Sequence, residues 1–219
     1  VRLNATKHNL FEKNQFIETR ASDRDYRYNA IQHGAQHTIV RYNVFRNCQG
    51  GGVNYAYYSD ESLYVYGNRL YNNTFYQNRC YGIVGNSGQV SRYYDNKVLN
   101  NLLYQNSDCS GGGEQIRIRD SAVVIAIGNE LATQSPQFVN ETENDFNLEE
   151  GSPHIDQAVF LTATVSAGTG KNIIVSDASY FYDGFGITGE TGDLIQLEGQ
   201  TTTAQVIAVN FSTRTLTLD

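Results

Sequence analysis

An asparagine with similar neighbours returns at Asn9, Asn43, Asn68, Asn96 and Asn129, at intervals of 34, 25, 28 and 33 residues. An apolar residue follows two positions later each time (Phe11, Phe45, Leu70, Val98, Leu131). A polar one comes two positions after that (Lys13, Asn47, Asn72, Asn100, Thr133). Self-similarity at about 20 to 50 residues marks a solenoid or array, whose units are unstable alone and bury their apolar faces by stacking. The repeat predicts one coil written five times, with the five asparagines in one vertical file.

The segments before the motif are extended in character: His37-Thr-Ile-Val-Arg41, Ser62-Leu-Tyr-Val-Tyr66 and Ala122-Val-Val-Ile-Ala-Ile127 are rich in β-branched and aromatic residues. Glu114-Gln-Ile-Arg-Ile-Arg-Asp120 alternates with Ile116 and Ile118 on one face. No stretch of residues 1–150 holds an apolar stripe at helical spacing, which disfavours leucine-rich or ankyrin repeats. Like residues on successive coils lie ~4.8 Å apart. A file of asparagines can then pass hydrogen bonds from amide to amide while satisfying turn backbone. A second file runs through Asn73-Thr-Phe75 and Asn101-Leu-Leu103, followed by Asn78 and Asn106.

Cys48, Cys80 and Cys109 recur at 32 and 29 residues, each closely followed by glycine, and are expected at one corner of adjacent coils. Neighbouring-strand separation suits one disulfide and leaves at least one thiol free or paired elsewhere. The 219 residues suffice for a core and one or two domains. With a net charge of −7 and scattered basic residues, nucleic acid is not an expected partner. No membrane span or signal peptide is recognisable, and Val1 falls inside a running repeat, so the chain is expected to be a piece of a longer mature protein.

A boundary is expected near residue 158. Asn144-Asp-Phe-Asn-Leu-Glu-Glu-Gly-Ser-Pro-His-Ile-Asp-Gln-Ala158 contains a Gly-Ser-Pro turn, and Phe146, Leu148 and Ile155 can plug the last coil, whose edge is otherwise open. Beyond it, Asn172-Ile-Ile-Val175, Asp193-Leu-Ile-Gln-Leu197, Ala204-Gln-Val-Ile-Ala-Val209 and Thr215-Leu-Thr-Leu218 alternate with glycine turns, as in a small antiparallel β module. The expected fold is all-β: a right-handed parallel β-helix over 1–158, then the module over 159–219.

These features carry a resemblance. N-x-F-x-N repeats with glycine-rich corners, closed by D-F-x-L-x-x-G-S-P-x-I-D-x-A at Asp145 to Ala158, resemble bacterial secreted right-handed parallel β-helix proteins of the pectate-lyase-like superfamily. The tail, Val175-Ser-Asp-Ala-Ser-Tyr-Phe-Tyr-Asp-Gly-Phe-Gly-Ile187 with Gly192-Asp-Leu-Ile-Gln196, is similar to a module that follows the helix in some of them. The resemblance implies an extracellular or cell-surface setting and a polysaccharide partner. It says little about activity, because β-helices host enzymes and adhesins alike. Four N-x-S/T sequons, at Asn4, Asn72, Asn140 and Asn210, are compatible with that setting.

Sixteen tyrosines point the same way. Tyr55 and Tyr57 share a face, as do Tyr64 and Tyr66, and Tyr93-Tyr94 recurs one coil later. Such rings can stack on sugars, or simply on one another. A lyase would need a base and cations against a uronate carboxylate. The candidates are His33 with Arg117 and Arg119, beside a charged loop holding Asp23, Arg24 and Arg27; Tyr55 and Tyr57 would bind substrate. Arg92 is expected to approach Arg117 and the neighbourhood of Tyr64. The competing readings are a solvated loop and the polar face of a half-exposed strand. His33 and His37 suit a metal pair only on a helix, so no zinc site is expected, and no motif supports calcium. His154 reads as structural. No facing carboxylate pair suggests glycoside hydrolysis. Two functions follow: a surface protein that binds polysaccharide and can cleave it by elimination, or a non-catalytic stalk, adhesin or fibre subunit self-associating through its ends or tail.

Overall fold

The computed structural model describes residues 2–19, 29–55, 64–85, 91–110, 112–121, 124–167 and 169–219. The chain divides into two compact units, Val1–Val159 and Phe160–Asp219.

The first unit is a parallel β-helix with three walls of five strands. The first wall holds Arg2–Lys7, Ile31–Gln36, Val53–Tyr55, Ile83–Gly85 and Ile116–Ile118; the second Leu10–Glu12, Ile39–Arg41, Arg69–Tyr71, Asn96–Leu99 and Val124–Ile127; the third Gln15–Ile17, Val44–Arg46, Thr74–Tyr76, Leu102–Tyr104 and Glu130–Ala132. The strands are three to six residues long, so each presents one to three side chains inward. Those align by register: Ile31, Val53, Ile83 and Ile116 on the first wall; Phe11, Val40, Leu70 and Val98 on the second; Phe16, Phe45, Phe75 and Leu103 on the third. The third file stacks face to face, at 4.8 Å between Phe16 and Phe45 and 4.7 Å between Phe45 and Phe75. Each such buried ring contributes roughly 1.5–3 kcal/mol by leaving water.

The walls meet at corners of one recurring design: a residue in the left-handed region, then a ladder residue. At the first corner the left-handed residues are His8, His37, Gly67 and Asp95; at the second Lys13, Tyr42, Asn72, Asn100 and Gly128; at the third Glu18, Asn47, Gln77 and Gln105. That backbone costs a side-chain-bearing residue roughly 1–2 kcal/mol, and the ladder offsets it. In the second-corner ladder, Asn14, Asn43, Asn73 and Asn101 each donate a side-chain amide to the Oδ1 of the next rung, at 3.0, 2.9, 2.9 and 2.8 Å, ending on Asn129. The same Oδ1 atoms also accept the backbone N–H of the rung before.

Asn9, Asn43, Asn68, Asn96 and Asn129 therefore do not form a single file. Asn43 and Asn129 belong to the second corner. Asn9, Asn68 and Asn96 belong to the first, where Thr38 fills the missing rung through bonds of 3.0 Å from Asn9 and 2.9 Å to Asn68. The two corners lie five residues apart in sequence, which explains why a switch of corner gives intervals of 34, 25 and 33 while Asn68 to Asn96, within one corner, gives 28. The expected stack of like on like stands, as two parallel amide ladders. Cys48 likewise occupies the ladder position of Asn78 and Asn106 at the third corner, its N–H donating to Asn78 Oδ1 at 3.0 Å. It is a free, buried thiol, whereas Cys80 and Cys109 form a disulfide.

After the last rung, Phe138–Asn140 and Asp145–Leu148 form an antiparallel hairpin through a 3-10 turn, Glu141–Glu143, capped by the Asn140 side chain. Phe146 does not plug the coil. It lies against the outer face of the third wall, where Tyr76 meets Phe138 and Phe146 edge-on at 5.6 and 5.9 Å and the Tyr76 hydroxyl donates to Glu141. Ile155 stays exposed. The outward file of Arg46, Tyr76 and Tyr104 supplies the face on which Phe146 meets the Tyr76 ring and the Arg46 guanidinium. His154 closes the following turn with Nδ1 at 3.2 Å from Glu130, a structural contact.

The second unit is a four-stranded antiparallel sheet in the order Asn172–Ile174, Thr215–Leu218, Thr203–Asn210, Leu194–Gln196, packed on Val175, Ala178, Val206 and Leu216.

Candidate functional site

The first wall separates the residues that sequence grouped by chemistry. Alternate side chains face opposite ways, so Ile31 pointing inward carries His33 inward with it. His33 is completely buried, its ring 4.9 Å from that of Tyr55, the next residue in the same file. Neither ring nitrogen has a hydrogen-bond partner among the described residues, and burial lowers its pKa to about 3. His33 and Tyr55 are therefore core residues, removed from any surface that a polymer could touch.

Arg117 lies on the opposite, outer face, half-buried, with Nη1 donating to the Tyr81 hydroxyl at 2.7 Å and its guanidinium over the Tyr81 ring. Arg119 follows that strand and is exposed. Arg92 does reach Tyr64, 5.6 Å from its ring, whereas Arg117 engages Tyr81. Asp23, Arg24, Arg27 and Tyr57 lie outside the described residues. Among the described residues no three His, Cys, Asp or Glu side chains converge as metal ligands would. His37, four residues from His33, sits instead at the first corner. Its ring occupies space that Gly67 leaves open, where a Cβ would come within 2.6 Å of Nδ1, and it meets the Tyr66 edge at 5.0 Å. Tyr66 in turn stacks flat on Tyr94 at 4.9 Å.

The concavity with unspent chemistry lies elsewhere. Between the third wall and the hairpin runs a groove of about 450 Å³, within the range of small-ligand sites. Its floor is the outward file Gln15, Val44 and Thr74, from three successive rungs. One bank is the second corner, with Tyr42 and Asn72; the other is Asn144 to Asn147 of the hairpin. The hairpin is tied down by Gln15 Nε2 to Asn144 O at 3.2 Å and by Arg46 Nη1 to Asn144 Oδ1 at 2.7 Å.

Tyr42 follows from the corner design. Its left-handed backbone (φ 54°) turns the ring outward, edge-on to Tyr71 at 6.3 Å and under the Arg41 guanidinium at 5.5 Å, with 48% of its surface open. Asn72 holds the same position one rung on (φ 53°). Among the described residues the Tyr42 hydroxyl, the Asn72 carboxamide and the Thr74 hydroxyl make no side-chain hydrogen bond within the protein. Asp145 Oδ1 accepts from the Asn147 backbone and side-chain amides at 3.0 and 2.7 Å, and among the described residues no hydrogen bond reaches its Oδ2. An amphipathic ring beside three neutral or acidic hydrogen-bonding groups is suited to polyhydroxylated ligands.

Among the expected glycosylation sites, Asn72 lines this groove with the Thr74 of its own sequon. Asn140 is exposed and caps the hairpin turn, Asn210 is exposed and accepts from Thr213 N at 3.1 Å, and the Asn4 side chain lies outside the described part. Comparison with protein-family models, with curated proteins and with solved structures finds no match.

Proposed function

We propose that this is a secreted or cell-surface β-helix protein, of the pectate-lyase-like repeat kind, that binds polysaccharide along its outer wall. The groove beside Tyr42 is the observation that carries this reading: it is open, crosses three rungs, and gathers an exposed ring with hydrogen-bonding groups that the fold itself does not use. The Cys80–Cys109 bridge agrees with an oxidising, extracellular setting. Binding is better supported than eliminative cleavage, because the candidate base His33 is inside the coil while Arg117 is outside and engaged by Tyr81.

The reading of a stalk, adhesin or fibre subunit draws on the amide ladders, which stiffen the rod under either function; the groove favours the binding role. Mobility in gels containing a polysaccharide panel tests it. The protein is expected to be retarded by at least one polymer, and Tyr42→Ala to relieve the retardation. No retardation by any polymer would count against the proposal.

A further inference from the structure

We propose that the groove selects an uncharged glycan, rich in hydroxyl or N-acetyl groups, and rejects uronate polymers. This inference rests on the polysaccharide-binding reading and concerns the charge of the ligand.

Among the described residues the lining of the groove holds one carboxylate, Asp145, and no Lys, Arg or His. Two guanidiniums outside that lining are held by the fold. Arg46 donates to Asn144 Oδ1 at 2.7 Å and packs over the Phe146 ring at 5.9 Å. Arg41 pairs with Glu12 at 2.8 Å and donates to the Tyr71 hydroxyl at 3.0 Å. A uronate carboxylate entering here would meet Asp145 in a lining that, among the described residues, presents it no cationic side chain.

At about 4 Å, two like charges near a surface repel enough to weaken binding by about tenfold or more. The same carboxylate favours a neutral sugar. Its unspent Oδ2 can accept from a sugar hydroxyl, a charge-assisted bond of the stronger kind. The Tyr42 and Thr74 hydroxyls and the Asn72 carboxamide each both donate and accept, which suits hydroxyls whose own direction varies around a ring. The Tyr42 face supplies the apolar contact. By contrast Arg117 and Arg119, which an acidic polymer would seek, lie on the first wall and outside the groove.

The test is affinity electrophoresis of the whole chain in gels with neutral glucan, mannan and xylan and with polygalacturonate and alginate, each at low and high salt. Wild type, Tyr42→Ala, Tyr42→Phe, Asn72→Ala and Arg117→Ala are compared, with circular dichroism to verify folding. Retention by a neutral polymer is expected, unchanged by salt, reduced about tenfold or more by Tyr42→Ala and Asn72→Ala, and largely kept by Tyr42→Phe and Arg117→Ala. Retention by a uronate polymer that Tyr42→Ala reduces and Arg117→Ala leaves intact overturns the charge selection and leaves polysaccharide binding standing. Neutral retention that Tyr42→Ala leaves intact overturns the groove as its site. Silence on every polymer sinks the parent reading together with this one.

Discussion

Replacing Asn73 by alanine removes the middle member of the second-corner ladder. Asn73 is 2% exposed; its Oδ1 accepts the Asn43 backbone N–H at 3.0 Å and side-chain amide at 2.9 Å, and its Nδ2 donates to Val40 O, Tyr71 O and Asn101 Oδ1, each at 2.9 Å. Alanine leaves the Asn43 backbone donor buried without an acceptor, a cost of about 1–3 kcal/mol. The other lost bonds cost about 0.5–1.5 kcal/mol each, partly recovered because the Asn43 side chain keeps Phe11 O and Arg41 O. The expected total is about 3–5 kcal/mol. Asn129→Ala is the comparison: it also removes the acceptor of a backbone N–H, that of Asn101, but Asn129 ends the ladder and is half-buried, so water can replace its bonds and about 1–2 kcal/mol is expected there. The chain has sixteen tyrosines and no tryptophan, so denaturant unfolding is followed by tyrosine emission and far-UV circular dichroism, with amide hydrogen exchange reporting protection at Asn43. Equal losses for the two variants, or a loss below about 1 kcal/mol for Asn73→Ala with Asn43 protection unchanged, would refute the view that the ladder holds the corners.

Burial of neutral His33 makes stability depend on pH. Its folded pKa of about 3 lies below the ordinary 6.5, so the unfolded chain alone takes up the proton between those values. The contribution is complete above pH 6.5 and declines as pH falls through that window, by about 1.4 kcal/mol per unit. His33→Phe should flatten the corresponding part of the stability profile without loss at pH 7; an unchanged slope would contradict the buried assignment. Opening the Cys80–Cys109 bridge, which closes a separation of 29 residues, should cost about 3–4 kcal/mol by the loop-entropy relation, read from denaturation with and without reductant. In the oxidised protein a thiol reagent should find no reactive group while folded and one, Cys48, when unfolded. Material glycosylated at Asn72 should fail to bind a polymer that the unmodified protein retains, because that glycan would occupy the groove.

Much of the fold is legible before any coordinates. Phe11, Leu70 and Val98, read as members of one apolar column, do share a file, but Val40 takes the rung expected of Phe45, and Phe45 and Leu131 belong to the third wall; Asn73 with Asn101 could be paired from an interval of 28 residues alone. The intervals of 34 and 25 misled because two corners five residues apart use the same residue type, and residue type carries no label for which corner it serves. Thr38 and Cys48, standing at asparagine positions, were hidden for the converse reason. His33 was legible in principle: two residues after Ile31, it had to share the inward face. Its chemistry suggested a site; its parity placed it in the core.

The groove has no such local signature. Gln15 and Asn144 meet across 129 residues, and Arg46 and Asn144 across 98. Phe146, expected at the coil end, goes instead to the aromatic face that Tyr76 presents. Sequence by itself determined what repeats with short period: extended strands, inward apolar files, asparagine corners and a separate β tail. Tertiary structure decided which corner each asparagine joins, which wall the hairpin covers, and so where a concave surface exists. Periodic stacking needs only neighbours 28 to 30 residues apart in a fixed register, whereas a groove between a wall and a returning hairpin depends on packing between segments that no repeat connects.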